Sequence, residues 1–341
     1  MKIISKILLI FFLLSFTFSC KKEIEFNGEI SEPLLVVNSI INPDSTINVN
    51  VSKSKFFLSN KTGFDVIKNA DVYMYINNST GIKLTHKGEG NYSSTTKSQI
   101  GDTVRLEVNA QGLNSVESKT IVPEIANILS CDTSFKILRN EPYIVYLETN
   151  PGKDGVLDTV ANTQYGELKI IIKLNDPQNI KNYYRITLKK DTEITAEGRD
   201  ITQTYYVGFV LEGFSEPGTD NLMGTITNDN LNTKTQQLIS DDIFNGKEIS
   251  LVLKTETEKI VAKANREDFF NNMDYRVKSV SYTLNFQSVT KEMYLYLKTI
   301  ESSQNIFFEA FTEPVQIYNN ITNGIGIFGS YTNNTVKIKL F

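Results

Sequence analysis

Segments in which apolar and polar residues alternate one by one recur along most of this chain. Residues 47–52 carry apolar side chains at the odd positions and polar ones at the even positions, and residues 104–109 show the same alternation. Successive side chains of a β-strand point to opposite faces, so a period of two predicts a strand with one buried and one solvated face. The recurrence of this pattern predicts a mainly β protein.

The part of the chain from 33 to 124 has the spacing of a small β-sandwich. About seven short strands are separated by turn sequences, which is typical of an immunoglobulin-like or transthyretin-like domain. One turn is Asn-Pro-Asp at 42–44, and another, at 77–81, joins the two arms of a hairpin at 69–76 and 82–86. The chain has no tryptophan and lacks the paired cysteines of antibody domains, so both subtypes stay open.

The remaining residues, 125–341, predict a larger β-rich domain with one or two short helices. Strands are expected at 168–174, 183–188, 204–214, 248–255, 279–286, 305–311, 315–321 and 335–341. Two runs, 170–172 and 205–210, are apolar on both faces, which predicts strands in the centre of a sheet or under another layer.

Helical spacing stands out at two places in this second part. Apolar residues recur every three or four positions between 293 and 300, which predicts a helix that begins after an N-cap at Ser288 or Thr290 and ends near residue 303. A second helical turn is expected at 266–273, where charged residues flank two adjacent phenylalanines.

The first residues have the pattern of a secretory signal. Two lysines precede an apolar run at 7–18, and a small residue ends the run. The run is shorter than the roughly 18 residues that span a bilayer, which disfavours a retained transmembrane helix. Residues 1–19 are therefore predicted to be a signal peptide.

Cys20 stands where the cysteine of a bacterial lipobox stands, directly after Ser19 and before charged residues. Thr17 and Phe18 depart from the usual lipobox pattern and resemble the loosened form in Bacteroidetes lipoproteins. We predict lipid attachment at Cys20, which anchors the chain to a membrane, and a polar tether over 20–32. The alternative is a soluble exported protein in which this cysteine is incidental.

Histidine and cysteine are scarce, which excludes several classes of site. His86 is the only histidine, so multi-histidine zinc sites are excluded and a Ser/His/Asp triad would need this residue. His86 ends the strand predicted at 82–86, and an exposed strand-end residue is expected. Cys131 has no partner once Cys20 carries lipid, and we expect a buried small hydrophobic residue there.

The other motifs are better explained by turns and packing than by chemistry. Gly324, Gly326 and Gly329 have dinucleotide-loop spacing, but no helix is expected after them. The acidic clusters at 150–158 and 241–245 fit turns and not a calcium loop. The net charge of −4 is spread without a basic block, which disfavours nucleic-acid binding. We expect no catalytic residue, no cofactor and no metal.

A family resemblance is carried by four stretches: 35–40, 183–188, 243–247 and the glycine-phenylalanine tail at 323–329. Together they resemble a Bacteroidetes lipoprotein family known as domain of unknown function 4249, over nearly all of the chain after the lipobox. The resemblance implies an outer-membrane lipoprotein, commonly encoded beside TonB-dependent transporters. It implies no catalytic residues.

Three functional hypotheses follow from these patterns. The first is a non-enzymatic lipoprotein of the outer membrane that captures a ligand for, or otherwise assists, a TonB-dependent transporter. Acidic residues just after Cys20, at 23 and 25, partly match the surface-export signal of that phylum, so we expect the protein to face the cell exterior. The second is a surface lipoprotein that adheres to polymers. The third is a hydrolase that uses carboxylates alone.

Overall fold

A computed structural model describes residues 32–56, 63–147, 156–212, 233–304 and 315–341. The predicted signal peptide, Cys20, nearly all of the tether and the strand predicted at 305–311 lie outside these ranges. The mainly β prediction is confirmed, since strands hold most of the described residues and helices few.

The first nine strands are β1 Leu35–Ile41, β2 Asn48–Lys53, β3 Asp65–Val66, β4 Asp71–Ile76, β5 Ile82–Lys83, β6 Thr85–Gly88, β7 Asn91–Ser93, β8 Thr103–Asn109 and β9 Val116–Ile121. The next nine are β10 Asn127–Leu147, β11 Val156–Asn175, β12 Tyr183–Ala196, β13 Arg199–Tyr206, β14 Val210–Glu212, β15 Gln236–Ser240, β16 Glu248–Ala262, β17 Tyr275–Val289 and β18 Ile325–Lys339. A 3-10 turn at Ala264–Arg266 precedes helix α1, Glu267–Asn271, and helix α2 spans Lys291–Gln304.

Strands β1 to β9 form a sandwich of two sheets. One sheet runs β1-β2-β7-β6 and the other β5-β4-β8-β9. Their inward positions are the apolar members of the alternating pairs, such as Val49 and Val51 from one sheet and Val104 and Leu106 from the other, and all are buried in one cluster. The predicted hairpin is present, because β4 pairs with β5 across Asn77 and its neighbour, both at positive φ.

Strands β10 to β18 form a second sandwich. The sheet β13-β12-β17-β18 packs against the sheet β10-β11-β16-β14, and their inward residues share a second core. Ile170, Ile172, Ile186 and Leu284 are fully buried in that core. The central position predicted for 170–172 is confirmed, since β11 lies between β10 and β16.

Strand β18 belongs to both sandwiches. Its first residues pair in parallel with β1, from Val36 opposite Ile325 onward, and its last residues pair antiparallel with β17. The two sandwiches therefore share one continuous sheet of ten strands. Gly326 suits this junction, because it has φ +127° and because a Cβ at this position would collide with the Val37 carbonyl. The boundary between 33–124 and 125–341 stays a prediction.

Both predicted helices are present. Thr290 is the N-cap of α2, where its hydroxyl accepts a hydrogen bond from the Met293 amide at 3.4 Å. Helix α2 packs on β12, β15 and β18 through a small apolar cluster that contains Met293 and Tyr294. Helix α1 covers the far end of the β10–β11 hairpin, where Phe270 packs on Val160 and Ala161.

Two strand predictions were wrong. Residues 205–210 do not form one central strand, because edge strand β13 ends at Tyr206 and β14 begins only at Val210. The alternative, a run covered by another layer, holds for Phe209, which is fully buried in the second core, and not for the exposed Tyr205 and Tyr206. Residues 315–321 form no strand and instead hold the end of β9 through side chains, with the Ser118 hydroxyl donating to the Asn320 carbonyl at 2.8 Å.

Candidate functional site

The second sandwich has a cleft beside inward strand positions at which polar residues replace apolar ones. On β12 the buried inward positions Ile186 and Leu188 are followed by Lys190. On β16 the inward apolar residues Leu251 and Leu253 are followed in the same way by buried Thr255 and Thr257. Inward side chains recur every second residue. The change from apolar to polar thus falls on both sheets, and the space between them becomes polar at that level.

The cleft consists of two adjoining depressions that share Glu256. The larger has a volume of about 730 Å³ and the smaller about 310 Å³. Side chains of the larger one that enter the argument are Glu167, Tyr205, Tyr206, Glu212, Lys254 and Thr255. Those of the smaller one are Arg139, Tyr165, Lys190, Thr257 and Glu258.

Lys190 is the most buried cation of the cleft. It is only 7% exposed, and its Nζ lies 3.9 Å from the Glu258 carboxylate. Within the described chain its ammonium makes no hydrogen bond. The Glu258 carboxylate at 3.9 Å is beyond hydrogen-bond range, so the ammonium can still donate a hydrogen bond to a ligand oxygen in the smaller depression.

A second lysine in the cleft is already paired. Lys254 Nζ lies 2.6 Å from Glu212 and 3.6 Å from Glu167. The hydrogen bond with Glu212 raises the pKa of Lys254, so this side chain stays charged. It therefore fixes two carboxylates at the rim of the larger depression, where they can accept hydrogen bonds from ligand hydroxyl or ammonium groups.

Aromatic side chains line both depressions. Tyr205 and Tyr206 are about half exposed on edge strand β13. The Arg139 guanidinium stacks over Tyr165 at 4.2 Å. Aromatic faces beside carboxylates and hydroxyls suit polar ligands that also present flat apolar surface.

Tyr282 ties the floor of the cleft to the core. Its hydroxyl donates a hydrogen bond to the Thr257 hydroxyl, and burial raises its pKa to about 12. The phenol therefore remains neutral at physiological pH. Tyr282 also pairs across the sheet with Lys190, so it fixes the backbone from which the lysine projects.

The acidic cluster at 241–245 is structural, as the turn interpretation predicts. Asp241 is completely buried, and its carboxylate accepts the Asn182 amide at 2.6 Å and faces Lys181 Nζ at 2.9 Å. This cluster ties the loop after β15 to the loop before β12. Neighbouring Asp176 is also buried and accepts the Tyr184 hydroxyl at 2.5 Å.

Burial raises the pKa of both groups in that last bond. Loss of hydration raises the pKa of Asp176, although the Tyr184 hydroxyl and the Gly246 amide oppose the shift. The same burial raises the pKa of Tyr184 far above its ordinary value. Tyr184 thus stays a hydrogen-bond donor at all physiological pH values.

The remaining candidates from the sequence lie apart from the cleft. His86 is half-buried on β6 and not exposed as predicted, because its ring packs 5.1 Å from Tyr92. Cys131 is half-buried on β10 at the border of the second core, and so less buried than predicted, and burial raises the pKa of its thiol. The three tail glycines lie in or beside β18, where Gly329 packs against Met293. Cys20 and most of 150–158 lie outside the described residues.

Sequence analysis missed the cleft, although one signal was present. Lys190 occupies an inward position of an alternating strand in which the two preceding inward residues are apolar. A lysine in that phase indicates either an open end of the sandwich or a binding site. The contribution of Tyr205 depended on the pairing of β13 with β12 across the two-residue turn Glu197-Gly198, a hairpin that the strand predictions did not include.

The described residues contain no group of three or more His, Cys, Asp or Glu side chains arranged to hold a metal ion. Within the same ranges, helices are too short or too polar to cross a membrane.

A family model for a domain of unknown function, DUF4249, matches residues 21–337. The chain belongs to the DUF4249 family. All of the cleft residues lie within the matched range, so the cleft is part of the DUF4249 domain of this chain. A search of curated proteins finds no significant match.

Proposed function

We propose that this DUF4249 protein is a lipid-anchored lipoprotein of the outer membrane, exposed to the cell exterior, that captures a ligand and assists a TonB-dependent transporter without catalysing a reaction. The observation that carries the capture role is the cleft, in which Lys190 is buried with no hydrogen-bond partner in the described chain. Lys190 shares the smaller depression with Tyr165 and Glu258, and the adjoining larger depression adds Tyr205, Tyr206 and the carboxylates of Glu167 and Glu212. This is the arrangement of a binding site for a polar small molecule.

The lipid on Cys20 would give this capture its advantage. Attachment confines the protein to the membrane of the transporter, which raises the local concentration of each partner for the other. The released ligand then has only a short distance to travel from the cleft to the transporter. Modest ligand affinity is compatible with efficient delivery, because the encounter is no longer limited by the bulk concentration.

The anchoring and partnership are tested by a mild-detergent pull-down of the tagged protein from its native outer membrane. We expect a TonB-dependent barrel to elute with the wild type, and both membrane attachment and the barrel to be lost with Cys20→Ala. Membrane-bound protein that elutes without any barrel would overturn the partnership. A Cys20→Ala variant that stays in the membrane fraction would overturn the lipid anchor.

The capture role is tested by native mass spectrometry of the released protein. We expect a bound small molecule on the wild type that is lost from Lys190→Met. Lys278→Met is the matched control, since Lys278 lies on β17 and pairs with Asp200, away from the cleft. Equal retention by the two variants would refute the cleft as the capture site.

The shape of the cleft favours a second candidate, surface adhesion to a polymer. The two depressions adjoin at Glu256 and both are open to solvent, so an extended chain could lie across them. Retention of cells on immobilised polysaccharide, lost with a Tyr205→Ser/Tyr206→Ser variant and kept with Tyr275→Ser, would favour adhesion. Tyr275 is an exposed tyrosine on β17 at the opposite end of the β12–β13 hairpin.

A further inference from the structure

Strand β10 presents a long edge of the second sandwich. Within the described ranges it pairs only with β11. Register shifts at Leu129 and Leu138 mark β-bulges in β10, and Pro142 removes a backbone donor beyond them. Bulges and proline protect an edge from pairing with other strands. The stretch between the bulges, residues 130–137, has neither protection.

The side chains of this stretch complement one another in charge. Asp132 and Lys136 both lie on the outer face of β10, because the inward positions are those opposite Leu168, Ile170 and Ile172. Both charged side chains are exposed, and neither makes an ion pair in the described part of the chain. On the inner face, Ile137 is 45% exposed at the open edge of the core.

We propose that two copies of the protein pair antiparallel through β10, about a twofold axis that passes through Ser134. In this register Asp132 of each copy faces Lys136 of the other. Ile137 faces Cys131 and Phe135 faces Thr133, which extends the inner apolar face across the junction. The two four-stranded sheets become one sheet of eight strands.

Charge selects this register over its neighbours. A twofold axis at Asp132 or at Lys136 would place like charges opposite each other, which destabilises strand pairing. An axis at Ser134 keeps the paired residues within 131–137, so both bulges fall just outside the paired stretch. Self-complementary contacts of this kind are those that a twofold interface requires.

The register is tested by disulfide crosslinking of the full chain. Cys20→Ser and Cys131→Ser provide a background without other cysteines and without the proposed anchor. Ser134→Cys faces itself across the axis, within the Cα separation of about 4.4–6.8 Å that a disulfide needs, and should give a covalent dimer on mild oxidation. Ser130→Cys, on the same face of β10, would be roughly 25 Å from its counterpart and should stay monomeric.

Charge reversal tests the same interface without cysteines. Analytical ultracentrifugation should show a concentration-dependent dimer of the wild type. Asp132→Lys or Lys136→Asp should each raise the dimer dissociation constant about tenfold or more, because each change replaces two opposite-charge pairs by two repulsive ones. The double exchange should restore dimerisation.

Several results would overturn the proposal. These are a monomeric wild type at every concentration, equal crosslinking of Ser130→Cys and Ser134→Cys, or a double exchange that remains as weak as the single variants. Both single variants should fold, because the two side chains are exposed on an edge strand. Circular dichroism melts check this.

Discussion

Replacement of Gly326 by alanine should break the junction between the two sandwiches. An added Cβ would lie 2.8 Å from the Val37 carbonyl carbon and closer still to its oxygen, at a φ of +127° that side chains other than glycine rarely adopt. The backbone conformation alone costs about 1–3 kcal/mol. Displacement of Val37 would also weaken one or two hydrogen bonds between β1 and β18, at about 0.5–1.5 kcal/mol each. We expect a loss of about 3–5 kcal/mol in the free energy of unfolding.

Gly112→Ala is the matched control, because Gly112 also has a positive φ, +75°, but has no atom within 4 Å of the position of an added Cβ. It should cost about 1–2 kcal/mol, the backbone contribution alone. Urea unfolding gives both values, and hydrogen exchange of the β1 and β18 amides should show faster opening only in Gly326→Ala. If the two variants were equally stable, the close approach at Val37 would not be what holds the junction.

Three further changes test other parts of the fold. Asp176→Asn tests the buried carboxyl: because burial raises the pKa of Asp176 above its ordinary 3.8, the native state binds the proton more tightly than the unfolded state. The stability that wild type has over the variant should therefore decline as pH rises from below about 3.8 through the raised pKa. Urea titrations at several pH values check this, and a constant or growing difference would contradict it. Thr290→Ala should cost about 1–2 kcal/mol through loss of the α2 cap, while Thr290→Ser should cost less; thermal melts of the two decide it. Phe270→Ala should cost about 3 kcal/mol, because it opens the apolar contact between α1 and the β10–β11 hairpin, and unchanged urea stability would show that α1 contributes nothing there.

Local patterns predicted the parts of the fold that local forces determine. The alternation at 47–52 placed Val49 and Val51 correctly in a buried face, and the spacing before Met293 placed the α2 cap at Thr290 as one of two choices. Residues 205–210 failed because an apolar run cannot distinguish a central strand from an edge strand beside a cleft. Which residues of a strand are exposed depends on the strands and layers that pack beside it, and the run alone does not show these.

The candidate site was predicted less well than the fold, for a related reason. Lys190 is a polar residue at an inward position, and its own strand shows that. The cleft is indicated only when Lys190 is seen together with the buried Thr255 and Thr257 of the facing sheet, which lie more than sixty positions later in the chain. The pairing of β1 with β18 had no local signal at all. Contacts between distant segments decide both features, and a single sequence shows only their separate halves.

The place of β18 in both sandwiches has a consequence for how the chain acquires its structure. β1 cannot gain its parallel partner until almost all of the remaining chain has been synthesised, because Val36 and Ile325 lie near opposite ends of the described residues. Contacts of such long sequence separation slow folding, since the intervening loop must first be closed. A chain with this topology therefore stays incompletely folded until its last strand is available. Strand β18, which joins the two sandwiches, thus also delays the completion of the fold.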